Sequence, residues 1–150
     1  MQIKDAGEAL FIACEMEKRA IRLYERALAL FADGPCQAAI RAILGDERNH
    51  LRQFFQMGAA AAGFERGQVL AAQASRVLFS GGLTEAQRRG AFASPRSLYL
   101  YAADEEREAI RQYGEFARAL SGPAAAAFAA IELEERQHLA KLTELLSVVR

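Results

Sequence analysis

The chain has 150 residues, 52% hydrophobic and 25% charged, which describes one folded domain and excludes a disordered chain. Nineteen basic side chains balance nineteen acidic ones, so no basic excess exists to neutralise phosphates, and nucleic acid is not expected as a partner. Two cysteines, Cys14 and Cys36, supply neither a disulfide framework nor a four-thiolate metal site.

Long runs of Ala, Leu, Arg and Glu, the strongest helix formers, alternate with sparse glycine and proline breaks. Asp5 followed by Glu8 reads as a helix N-cap with its capping-box partner, opening a first helix over about residues 6–32. Asp33-Gly34-Pro35 reads as a stop and restart, and a second helix is expected to run to about Gly63. Residues 64–93 are less regular: 68–79 suit a helix, Ser80-Gly81-Gly82 breaks it, and Thr84 to Gln87 suit a short turn, with Arg76, Arg88 and Arg89 as solvated charges. Ser94-Pro95 starts a third helix that runs to about Leu120. Ser121-Gly122-Pro123 ends that helix and starts a fourth, running nearly to the C-terminus. No strand pattern competes. The expected fold is all-α, one domain over 1–150: a hairpin over 5–63, a crossover over 64–93 and a second hairpin over 94–149. One long crossover joining two antiparallel hairpins is the ferritin-like variant of the four-helix bundle.

The longest uncharged apolar stretches, 57–64 and 123–131, fall far short of the roughly 20 residues that span a bilayer. The opening MQIKDAGEAL carries charges where a secretory leader has its apolar run. A cytoplasmic protein without a membrane partner is expected.

The two halves repeat one another. Glu17-Lys18-Arg19-Ala20-Ile21-Arg22-Leu23-Tyr24 precedes Glu47-Arg48-Asn49-His50-Leu51; Glu106-Arg107-Glu108-Ala109-Ile110-Arg111-Gln112-Tyr113 precedes Glu135-Arg136-Gln137-His138-Leu139. The only two histidines of the chain fall at equivalent places, each in a Glu-x-x-His. Residues at i and i+3 share a helix face, so Glu47 projects with His50 and Glu135 with His138. Glu17 lies 17 residues before Gly34, with Glu47 and His50 13 and 16 after it. Glu106 lies 16 before Gly122, with Glu135 and His138 13 and 16 after it. At ~1.5 Å per residue, each hairpin therefore sets its three groups at one level, and the same stripes carry Ile21, Ile43, Phe54 and Ile110.

Four carboxylates in an apolar interior cannot all stay ionised without compensating charge. Two divalent cations supply it, and two neutral imidazoles complete the shells, a donor set that suits Fe or Mn and also holds Zn. A Glu from each of two helices with Glu-x-x-His from each of the others is the pattern of dinuclear carboxylate bundles.

The Glu17–Tyr24 segment, the paired Glu-Arg-x-His-Leu motifs and the helix plan resemble the rubrerythrin-like branch of the ferritin-like superfamily over nearly the whole chain, least over 64–93. The resemblance implies Glu17 and Glu106 as terminal or chelating ligands, Glu47 and Glu135 as bridging ligands, and His50 and His138 as terminal nitrogen ligands. It implies a di-iron oxidoreductase that reduces peroxide or oxygen while cycling between Fe(II) and Fe(III), or an iron-handling protein, in a homo-oligomer with a dimer favoured. Two departures stand out. The four-cysteine rubredoxin site of full rubrerythrins is missing, so a separate electron donor is expected, and Ala109 stands where rubrerythrins tend to carry an additional carboxylate.

Tyr24 and Tyr113 follow Glu17 and Glu106 by seven residues and admit two readings, a second-shell partner of the site or a core tyrosine with a satisfied hydroxyl. Cys14 and Cys36 read as small buried thiols. Glu15, Asp46, Glu105, Glu108 and Glu134 are expected to face solvent or adjacent arginines, because Asp46 and Glu134 each point about 100° away from the following glutamate. Phe54-Phe55 and the alanine run at 123–131 read as core or subunit contact. Three functions stay open from the sequence: a di-iron redox enzyme, a non-catalytic metal-binding protein, and a metal-free helical interaction module.

Overall fold

The computed structural model describes residues 3, 5–31, 36–65 and 83–149. Among these residues the chain is all-helical: α1 (Ala6–Leu30), α2 (Cys36–Ala59), α3 (Leu83–Arg88), α4 (Pro95–Ala119) and α5 (Gly122–Leu146). The expected turn at 33–35, the expected helix over 68–79, the break at 80–82 and Arg76 lie outside the described residues. None of the described helices is long and apolar enough to cross a membrane.

The helix starts follow the capping chemistry. Asp5 holds an extended backbone, and its carboxylate accepts the Glu8 N–H at 3.0 Å. The Ser94 hydroxyl accepts the Ser97 N–H at 3.1 Å, with Pro95 at the first helical position where its missing N–H costs nothing. Each such cap is worth about 1 kcal/mol.

α2 ends at Ala59, four residues before the Gly63 expected from the sequence. Alanine propensity would carry the helix onward, but tertiary packing overrides it. Gly63 takes φ +91°, and a Cβ there would meet the Asp5 carboxylate. Gly7 is just as tight, for a Cβ on it would collide with the Ala62 carbonyl. The chain thus turns against the start of α1, and Phe64 packs edge-on to Phe11 with ring centroids 5.2 Å apart.

α1 packs along α2 and α4 along α5, with lighter contacts between α1 and α4 and between α2 and α5; α3 rests on α1. The apolar side chains fall into two clusters. One joins Leu23 and Tyr24 of α1 to Ile40 and Leu44 of α2, Leu98 of α4 and Leu142 of α5. The other joins Leu10 and Ala13 to Phe54, Tyr113, Phe128 and Ile131. Phe128 is fully buried, with the rings of Phe54, Tyr113 and Phe116 within 5.6 Å of its own.

On every long helix, a stretch between these clusters carries buried polar groups. Glu17 lies between Ala13 and Leu23, Glu47 and His50 between Leu44 and Phe54, Glu106 between Ala103 and Tyr113, Glu135 and His138 between Ile131 and Leu142. The two oily halves of the core therefore enclose a polar layer.

Candidate metal centre

Each long helix delivers its share of that layer from mid-length: Glu17 from α1, Glu47 and His50 from α2, Glu106 from α4, Glu135 and His138 from α5. None is more than 4% exposed. The i, i+3 spacing puts both donors of α2 on one face, and likewise those of α5. Two sets of four form. Glu17, Glu47, His50 and Glu135 bring one donor atom each within 4.8 Å of one another, and Glu47, Glu106, Glu135 and His138 do the same. Glu47 and Glu135 belong to both sets. All six residues singled out from the sequence are thus brought together.

The donor set fits a pair of cations on the structure's own terms. Six buried side-chain atoms lack a hydrogen-bond partner among the described residues: Glu17 Oε2, Glu47 Oε1, His50 Nδ1, Glu106 Oε2, Glu135 Oε1 and His138 Nδ1. Each candidate ligand contributes one. Buried polar atoms left unpaired cost about 1–3 kcal/mol each, more for charged groups, so six in one cluster call for something that pairs with them all. Some lie close without hydrogen-bond geometry: His138 Nδ1 is 2.8 Å from Glu47 Oε1, and His50 Nδ1 is 3.0 Å from Glu135 Oε1. The imidazole rings stack with centroids 5.9 Å apart.

Without cations the cluster takes up protons. Burial, then the charges of Glu17 and Glu106, push Glu47 well above the usual carboxylate range, and burial with Glu106 and Glu47 does the same to Glu135. Burial lifts Glu17 to about 7 against the lowering contacts of Glu47 and Tyr113. Glu106 goes the other way: burial acts to raise it, but His138, Glu135 and the Tyr24 hydroxyl together hold it below its ordinary value. Burial alone would lower His138, yet the carboxylates of Glu106 and Glu47 beside it hold it up at about 11.

A second layer of contacts crosses between the hairpins. The Tyr24 hydroxyl donates to Glu106 Oε1 at 2.5 Å, and the Tyr113 hydroxyl donates to Glu17 Oε1 at 2.8 Å. Each tyrosine ties down one oxygen of a terminal glutamate and leaves the other unpartnered. The two sequence readings of these tyrosines merge, since both are core residues whose hydroxyls are satisfied by a candidate ligand.

The expectation for Asp46 and Glu134 needs correcting. His138 Nε2 lies 2.9 Å from Asp46 Oδ2, and His50 Nε2 is bonded to Glu134, so each acid grips the histidine of the opposite hairpin. Both acids remain half exposed. They do point away from the glutamate that follows them, but the neighbouring helix lies in that direction. A carboxylate on Nε2 fixes the tautomer that presents Nδ1 as a lone-pair donor and raises its basicity. The signal was available in the repeat: both motifs carry an acid immediately before the ligand glutamate, Asp46-Glu47 and Glu134-Glu135. Glu15 pairs with Lys18 and Glu108 with Arg111, as charges on solvated faces do. Glu105 is half-buried with the charge of Arg89 near it, as expected of an acid beside arginines, and burial outweighs that charge to push it up to about 7.

A cavity of about 50 Å³ opens on the carboxylate side of the layer. Glu17, Glu47, Glu106, Glu135 and the two tyrosines line it, and neither histidine does. α3 supplies part of the lining through Leu83 and Ala86. Cys14 and Cys36 are free and buried, and burial pushes the Cys14 thiol up to about 12, a poor ligand and nucleophile. Phe54 is core, whereas Phe55 is 56% exposed.

Comparison of the chain with models of known families, with curated proteins and with solved structures finds no match in any of the three.

Two expectations follow from this geometry. Replacing Asp46 with Asn, which leaves shape but weakens the grip on His138, should lower divalent-cation affinity about 10–100-fold in a competition titration, whereas an unchanged affinity would deny Asp46 its orienting role. The proton uptake has a definite sign. The folded metal-free chain holds more protons than the unfolded one from the ordinary carboxylate value of 4.5 to about 7 for Glu17, and from 6.5 to about 11 for His138. Stability therefore falls as pH rises through those windows, and Glu106 opposes this only below 4.5. The metal-free Tm should be lower at pH 8 than at pH 5.5, and the rise in Tm on adding Mn(II) should be larger at pH 8, where fewer protons must leave. A larger metal effect at pH 5.5 would contradict the assignment.

Proposed function

We propose that this chain is a dinuclear-metal carboxylate protein of the ferritin-like, rubrerythrin-like kind, an oxidoreductase that uses two iron ions to reduce peroxide or oxygen. The observation that carries the reading is the set of six unpartnered buried atoms, one from each of the four glutamates and two histidines, with Glu47 and Glu135 common to both groups of donors. The arrangement of the clusters supports the ferritin-like plan. Phe54, near the end of α2, packs with Leu10, Tyr113 and Phe128, whereas Leu98, at the start of α4, packs with Leu23, Ile40 and Leu142. The end of α2 and the start of α4 thus lie with different clusters on either side of the polar layer, the placement that a single long crossover would call for.

When bound, the iron pair supplies the electrons for reduction, and the oxygen chemistry is the metal's own. The chain's part is to hold and to tune. Glu47 and Glu135 would bridge, Glu17 and Glu106 would bind terminally, and His50 and His138 would each offer Nδ1. Tyr24 and Tyr113 each hold one oxygen of a terminal glutamate by a hydrogen bond across the hairpins and leave the other free for a metal. Asp46 and Glu134 orient the imidazoles from outside. The apolar clusters close the layer above and below, and the cavity leaves the carboxylate side approachable by a small molecule. The same reading calls for a separate electron donor and favours a homodimer.

Protein purified without chelators and loaded anaerobically with Fe(II) should bind close to two ions per chain by elemental analysis. Glu135→Ala should lose at least one of them. Peroxide added to the loaded protein should produce ferric absorbance rapidly and in stoichiometric amount. Slow, substoichiometric oxidation would favour metal binding without turnover, and no uptake of metal would leave a helical interaction module.

A further inference from the structure

The duplication breaks down on the outer surface of the first hairpin. On α4, Arg111 is held by Glu108 and, at 2.7 Å, by Glu115; on α5, Arg136 is held by Glu132 at 2.9 Å. In the register that pairs Glu17 with Glu106, Arg22 answers to Arg111, but Arg19 and Arg26 stand where Glu108 and Glu115 do. In the register that pairs Glu47 with Glu135, Leu44 stands where Glu132 does, and Arg48 reaches across to Glu25 of α1 at 3.7 Å instead. Arg41 and Arg52 share the stripe of Arg48 on α2, and alanines take their places on α5. Arg22, Arg26 and Arg41 are exposed and make no ion pair among the described residues. The acids on the outer side of α1, Glu15 and Glu25, are already engaged by Lys18 and Arg48. Like charges at i, i+3 and i, i+4 destabilise a helix, so the row Arg19, Arg22 and Arg26 works against α1, and folding gives no reason for it.

We propose that the arginines of the α1–α2 outer face dock a small acidic electron-carrier protein that reduces the centre behind them. The inference rests on the dinuclear redox reading and gives its separate electron donor a place. Arg22 lies between Glu17 and Tyr24 on α1, and Arg48 follows Glu47 on α2, so the face backs on the polar layer. Only the thickness of one helix, about 10–12 Å, lies between them, a distance that electrons cross by tunnelling. That placement suits an electron carrier, whereas a nucleic acid or a lipid surface would gain nothing from it. An acidic carrier is drawn by complementary charge, which speeds encounter and fixes orientation. The α4–α5 face offers no such attraction, because Arg107, Arg111 and Arg136 are neutralised by acids of their own helices. Two reduced one-electron carriers each lose one electron and the ferric pair gains both; no covalent bond forms or breaks.

The test uses the full chain and a plant-type [2Fe–2S] ferredoxin, a small acidic one-electron carrier, as the probe. Binding is titrated at low salt with the chain loaded with Zn(II), which accepts no electron. Arg22→Glu combined with Arg26→Glu is expected to weaken binding tenfold or more, and Arg107→Glu combined with Arg111→Glu less than threefold. With the iron-loaded ferric chain, the α1 pair is expected to slow reduction by reduced ferredoxin tenfold or more. Reduction by dithionite, which needs no docking, should stay unchanged. Equal weakening by the α1 and α4 pairs overturns the proposal. So does tighter binding of the unaltered chain to phosphatidylglycerol vesicles or to polyuridylate than to ferredoxin, lost on the α1 substitutions, which would assign the face to a membrane or to nucleic acid. No ferredoxin binding by a chain that still takes up two irons overturns the docking face alone. Binding through α1 with no electron transferred refutes the dinuclear redox reading and the carrier's role together.

Discussion

Four glutamates and two imidazoles meet in a buried layer between two apolar clusters, and much of the molecule answers to the cost of that meeting. Moving an ion out of water costs several kcal/mol even after the protein relaxes, and the mutual repulsion of four carboxylates adds to it. Two escapes are open. Protons can neutralise part of the layer, which is the direction in which Glu17, Glu47 and Glu135 are pushed. Alternatively, two divalent cations can balance four negative charges and pair with all six orphaned atoms at once. The second would leave nothing buried and unsatisfied in the layer, which is why it is the one we propose.

Paying that cost requires rigidity, and the duplication supplies it. Each half of the chain holds only part of the centre, and each half secures the part belonging to the other. Tyr24 reaches Glu106 while Tyr113 reaches Glu17; His50 is gripped by Glu134 while His138 is gripped by Asp46. Such exchange couples the docking of the two hairpins to the shape of the site. The two halves are not identical, however. Tyr113 sits among the rings of Phe54 and Phe128, whereas Tyr24 belongs to the largely aliphatic cluster with Leu23 and Leu98.

Much of this was legible in the sequence, for reasons that also mark where legibility ended. The six site residues could be found because i, i+3 spacing is a property of a single helix, and because the motif occurs twice at nearly the same distance from its turn. Asp46 and Glu134 escaped because direction was judged from one helix alone, and their targets belong to a helix of the other hairpin. The end of α2 was misplaced for a similar reason. Alanine propensity is local, whereas the turn at Gly63 is forced by close approach to Asp5 and by the packing of Phe64 on Phe11. Nor could periodicity place α3, since a six-residue helix has too few apolar positions to show which neighbour it covers. Its contact with α1 and its share of the cavity wall appear only in three dimensions.

The most direct test of the paired-cation account is anomalous diffraction from crystals of the full chain soaked in Mn(II). The account predicts two strong peaks within the polar layer, both in contact with Glu47 and Glu135, one beside His50 Nδ1 and the other beside His138 Nδ1. A layer with no peak, its carboxylates and imidazoles bonded only to one another, would contradict it.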